Sequence, residues 1–147
     1  MINTNITFDD KKIKQLLDNL VAPQGNNRFW YRIASLVFSK IIRNIQKGVD
    51  VDGQPFKDYT ASYKRFKTRK GLSLVVNLQL KSEMIRSITI DADDKGFTIF
   101  VSGAFNNQKA DWNQNKNGRV FLAWGSDIQK AFDNAVRNEI KRAFGGL

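Results

Sequence analysis

Between Arg28 and Lys47 the apolar residues Trp30, Ile33, Ala34, Val37, Phe38, Ile41 and Ile45 recur every three or four positions, while Arg32, Ser39, Lys40, Arg43 and Lys47 fall mostly elsewhere on the wheel. This spacing predicts one long amphipathic helix, with Asn27 as its N-cap and Gly48 just past its end. A broad apolar stripe must be covered by a second layer, so the chain has to supply other elements with matching faces. One is predicted near the C-terminus, where Ile128, Ala131, Phe132, Ala135, Val136, Ile140, Ala143 and Phe144 share a helical face before Gly145 and Gly146. Ser126 and Gln129 have the spacing of a capping box at its start. A shorter helix is expected from Ile13, Leu16, Leu17, Leu20 and Val21, so residues 1–27 read as an N-terminal helix and a linker broken at Pro23 and Gly25.

The middle of the chain has a different period. Ile88 and Ile90 alternate with Ser87 and Thr89, and Phe97, Ile99 and Val101 alternate with Thr98, Phe100 and Ser102. With the turn-forming run Asp91 to Gly96 between them, these stretches predict a hairpin or a two-strand meander. Asp52-Gly53 and Pro55 mark turns, a short helix is expected from about Thr60, residues 74–80 fit strand or helix equally, and 81–86 lean helical. Residues 103–118 are rich in Asn and Gln, with Ala110 and Trp112 as the only central apolar residues, and are expected to form a long mobile polar loop. At 147 residues the chain suits one domain. The expected fold is α+β, with long amphipathic helices packed on a small antiparallel β-sheet and a long polar loop.

The chain contains no cysteine and no histidine, which removes disulfides, thiolate or histidine metal sites, and the usual nucleophile and base pairs of hydrolases. Asp91, Asp93 and Asp94 are the one dense carboxylate cluster, and a turn beside Lys95 and Gly96 accounts for them without a metal. Neither GxxxxGK[ST] nor GxGxxG occurs. We therefore expect no enzyme, no cofactor, no metal and no small-molecule substrate. No apolar run approaches the roughly 20 residues of a membrane span, and the N-terminus has neither the basic start nor the apolar stretch of a signal peptide. The protein is expected to be made in the cytoplasm and to have no membrane partner.

The net charge of +10 is regional: residues 28–70 hold eleven cations and three carboxylates, whereas 1–27 and 71–118 are neutral. The densest run is KRFKTRK, residues 64–70, where Phe66 is interleaved with Lys64, Arg65, Lys67, Arg69 and Lys70. One reading is a contact face for phosphates or an acidic protein surface. The other is a solvated face with Phe66 anchoring the helix. Trp30 reads as core, and Trp112 as an interface anchor or a residue folded back on the core.

The order of these features resembles a known family. A long helix is followed by DGQPFKDYTASYKRFK, then KSEMIRSITI, a hairpin, an Asn-rich segment and RVFLAWGSDIQKAF. This is similar to the phage virion-morphogenesis and tail-completion proteins of the Mu type and the related tail-component family of long-tailed phages. Asp52, Gly53 and Pro55 match the family's turn, with Phe56 in place of tryptophan. Tyr63 and Lys67 match a Tyr and Lys segment, and Ser87 and Ile88 a Ser-Ile pair. Arg119, Phe121, Leu122 and Gly125 match the last motif, with Ala123 and Trp124 inserted before the glycine, and Ser82 stands where the family has glycine. The likeness spans roughly residues 28–144.

The resemblance implies a non-enzymatic structural protein of the virion neck or tail, made in the bacterial host cytoplasm. It would act in head-to-tail joining or tail completion, forming a ring or docking on one. Its implied partners are other copies of itself and the neighbouring portal, connector or tail-tube proteins, with DNA close by. The parts expected to make these contacts are the loop with Trp112 and the basic segment with Lys57, Lys64, Arg65, Lys67, Arg69 and Lys70. The alternative is a nucleic-acid-binding module built on Lys64 to Lys70.

Overall fold

The computed structural model describes residues 6–8, 26–78 and 82–143. Its elements are β1 (Ile6–Phe8), α1 (Asn26–Lys47), α2 (Ala61–Arg69), α3 (Glu83–Arg86), β2 (Ile88–Ala92), β3 (Phe97–Val101), α4 (Ala104–Asp111), a π-helical turn (Trp112–Lys116) and α5 (Ser126–Ala143). The expected N-terminal helix lies outside the described residues.

Helix α1 forms where its stripe predicts. Trp30, Ile33, Ala34, Val37, Ile41 and Ile45 are all buried, packed against α5 on one side and against β2 and β3 on another. Burying each of the larger side chains contributes about 1.5–3 kcal/mol, so this stripe supplies a substantial part of the cohesion. Ile128, Phe132, Ala135 and Val136 of α5 close the core. Lys40 and Asp127 join the two helices by an ion pair of 2.8 Å. The architecture is α+β.

The hairpin pairs Ile88 with Val101, Ile90 with Ile99 and Ala92 with Phe97. Phe97, Ile99 and Val101 face the core, as the alternation requires. Asp93 closes the turn by accepting hydrogen bonds from the backbone nitrogens of Lys95 and Gly96 at 2.7 and 3.0 Å. The sheet has three strands in the order β1-β3-β2, because Ile6–Phe8 pairs antiparallel with Phe97–Ile99. A strand of three residues is too short to announce itself by alternation.

The expected polar loop at 103–118 is helical over residues 104–116, which corrects that part of the reading. Ala110 and Gln114 are buried and tie the segment to the domain. Its asparagines act locally: Asn113 donates to the Lys109 carbonyl at 3.0 Å, and Asn115 to the Asp111 carboxylate at 2.6 Å. Two buried anchors and local side-chain bonds outweigh the weak helix preference of Asn. Residues 72–78 are neither strand nor helix, and 83–86 form a single helical turn.

Candidate functional site

The sequence motifs on either side of the hairpin meet at one junction. After α1, Asp50 organises a turn: its Oδ1 accepts from the backbone nitrogens of Asp52 and Gln54 at 2.9 and 2.8 Å, and Gly53 takes φ +80°, which favours glycine. Pro55 bridges Val49, and Phe56 is buried. The same turn caps α5. Asp52 Oδ1 accepts from Ser126 N at 2.6 Å, and the Val51 carbonyl accepts from Asp127 N and Ile128 N at 3.1 and 3.3 Å. These bonds satisfy backbone donors that a helix start leaves without partners. The expected capping box is absent, since the Gln129 side chain bonds Asp133 at 3.0 Å instead.

Gly125 lies against this turn so closely that a Cβ there would stand 2.5 Å from Val51 Cγ2 and 2.6 Å from the Val51 carbonyl. Asp127 adds a second fastening, its Oδ2 accepting from Lys40 and from Asn44 at 2.8 and 2.9 Å. The Lys40 bond, foremost, holds the Asp127 carboxyl below its ordinary value despite burial acting the other way.

Arg119 ties the second motif to the basic segment. Its Nε donates to the Lys57 carbonyl at 2.8 Å and its Nη2 to the Asp58 carbonyl at 3.0 Å, and the residue is 8% exposed. Phe121 and Leu122 follow it into the core, their backbone nitrogens donating to Gln114 Oε1 at 3.3 and 2.7 Å. Ser87 and Ile88 secure the base of the hairpin: the Ser87 carbonyl accepts from Ser102 N and Oγ at 2.8 and 2.9 Å, and Ile88 is buried. Ser82 has φ +60°, the left-handed conformation that favours glycine.

The basic run forms α2, capped by Thr60, whose side chain accepts from Tyr63 N. Its charges do not share one fate. Lys64 is paired with Asp58, and this bond is the largest cause of the lowered Asp58 pKa. Lys67 is only 1% exposed, with its ammonium 4.7 Å from the centre of the Tyr59 ring, and burial lowers its pKa. Arg119 lies 4.9 Å from the same ring. Lys57, Arg65, Arg69 and Lys70 remain exposed, and among the described residues none of them forms an ion pair. Phe66 stacks on Tyr63, which meets Tyr59 edge to face, so this aromatic row anchors the helix.

Beside α2 lies a groove of about 610 Å³, lined by residues from the start of α2, from α3, and from α4 with its π-helical turn. Tyr59, Tyr63 and Met84 contribute inner surface, and Arg119 reaches it from the junction. Phe105 and Trp112 stand at it 66% and 54% exposed. Lys109 Nζ is 4.2 Å from the Phe105 ring centre and 3.3 Å from Glu83, and Lys116 Nζ is 4.0 Å from the Trp112 ring centre. Trp112 thus stands on a helical turn rather than in a loop. Phe105 and Lys109 are missing from the residues the sequence singles out, yet a signal was present: each ring is followed by a lysine four positions later, the spacing of one helical face.

Asp91, Asp93 and Asp94 are exposed at the hairpin tip, and among the described residues no three metal-binding side chains are grouped to hold an ion. No helix among them is long and apolar enough to cross a membrane. No protein-family model, curated protein or solved structure matches the chain.

Proposed function

We propose that this chain is a non-enzymatic structural protein of a phage virion, acting in head-to-tail joining or tail completion as a subunit that forms a ring or docks on one. The observation that carries the reading is the junction between the two motif blocks on which the resemblance rests. Asp52, Gly53 and Phe56 come from one block, and Arg119, Phe121, Leu122 and Gly125 from the other. Hydrogen bonds and close packing tie the two blocks together across more than sixty residues, from Asp52 to Ser126 and from Lys57 to Arg119. Residues recurring together in a family need a shared physical task, and building this junction is such a task.

In a closed ring each subunit contacts the next through two different, complementary surfaces. The exposed cations Arg65 and Arg69 of α2, with Lys57 and Lys70 on either side of it, offer one such surface. The partners in this reading are further copies of the chain and the portal, connector or tail-tube protein of the same virion. Multi-angle light scattering of the purified protein, alone and mixed with those partners, tests it. The expected result is a defined oligomer or a stoichiometric complex. A protein that stays monomeric and binds none of them overturns the proposal.

A further inference from the structure

The groove beside α2 combines features that neither a structural packing role nor a simple charged face requires. Phe105 and Trp112 hold large apolar rings in water, although such side chains are ordinarily covered. Each ring has a lysine ammonium about 4 Å from its centre. Residues 57–70, which supply Tyr59 and Tyr63 to the groove, carry six cations against one carboxylate. Of these six, Lys57, Arg65, Arg69 and Lys70 are exposed and form no ion pair among the described residues. The chain as a whole stands at +10.

We propose that this groove binds a single-stranded polynucleotide, with bases stacked on Phe105 and Trp112 and phosphates held by Lys109 and Lys116, while the exposed cations of residues 57–70, outside the groove lining, add to the positive field. Exposed aromatic rings beside a positive track are what single strands need, because every base has a face to stack and every linkage a charge to neutralise. A duplex keeps its bases stacked inside and leaves both rings unused. An acidic peptide satisfies the cations but gives the rings no flat partner. Each ammonium lies over one face of its ring, so a base stacks on the opposite face or displaces the lysine toward its phosphate. This inference stands apart from the assembly role, and its failure leaves that role untouched.

The test uses the full chain and a fluorescently labelled short oligothymidylate, with binding followed by anisotropy over a series of salt concentrations. Phe105→Leu and Trp112→Leu keep apolar bulk at exposed positions, so circular dichroism should show both variants folded. Each is expected to weaken binding roughly five- to hundredfold, the range found for losing one stacked base. Lys116→Gln is expected to flatten the dependence of log K on log salt by about 0.7, the share of one phosphate on a single strand. The proposal is overturned by no binding, by equal binding of the matching duplex, or by unchanged affinity in both ring variants. Displacement of the oligonucleotide by polyglutamate at equal charge concentration also overturns it, and points to an acidic protein surface.

Discussion

The carboxylate of Asp52 accepts a hydrogen bond from the backbone nitrogen of Ser126 at 2.6 Å, so the turn that follows one long helix caps the start of the other. The helix does not carry its own cap. Replacing Asp52 by Ala is expected to lower stability by about 1 kcal/mol, the usual worth of a capping side chain, while Asp52→Asn keeps an acceptor and loses less. Urea unfolding midpoints of the two variants check this order.

Gly125 is required by space rather than by backbone angle. A methyl group there meets the Val51 backbone, which is fixed by its bonds to Val120 and Asp127. Gly125→Ala should therefore cost about 1–3 kcal/mol, in the range of overpacking. Gly71→Ala, where nothing lies within 4 Å but φ is +64°, isolates the cost of the left-handed backbone alone. Thermal unfolding of the pair separates the two causes.

Ser82 occupies the left-handed region without a side-chain capping bond to offset the strain. Ser82→Gly relieves it, against the greater freedom that glycine gives the unfolded chain. A net gain of about 0.5–1 kcal/mol is expected in urea unfolding. A loss of stability would show that the serine is held by contacts stronger than the strain.

Asp127 has a folded pKa below its unfolded value of 3.8, chiefly through Lys40. Its contribution to stability is present above the unfolded value and disappears as pH falls through the folded one. Lys40→Met should be less stable than the parent at neutral pH, and the two should converge as the medium is acidified past that point. Unfolding free energies measured along an acid series give the comparison.

Lys67 behaves in the opposite sense. Its folded pKa lies below 10.5, so between that lowered value and 10.5 the unfolded chain binds the proton more tightly, and stability from this residue rises with pH. Lys67→Met keeps the buried stem and removes the desolvated charge. It is expected to hold or raise stability at neutral pH and to abolish the alkaline rise. A loss of more than about 2 kcal/mol, beyond what a cation on the Tyr59 ring supplies, contradicts this.

What the sequence made legible follows from the range of the interactions involved. The stripe of α1, that of α5 up to Val136, and the alternation of β3 are local patterns that formed where their period predicts, whereas near the end of α5 Ile140 is exposed and Glu139 is buried. Residues 103–118 read as a loop because their asparagine content masks the Phe105, Lys109, Trp112 and Lys116 spacing, and because the anchor at Gln114 bonds partners seven and eight residues away. Lys67 looked like one more surface cation in a basic run. Its burial depends on Tyr59 and the fold around it, which no window of sequence contains.

The pairing of Ile6 with Ile99 has a consequence for the order of events during synthesis. Strand β1 leaves the ribosome well before β3 exists, and at about 5–20 residues per second its partner follows on the order of ten seconds later. The β2-β3 hairpin joins residues close in sequence and is expected to close first, with the other edge of β3 unfilled. Until β1 docks, that edge can take the same strand from a neighbouring nascent copy. A high local concentration of chains therefore favours strand exchange over self-closure.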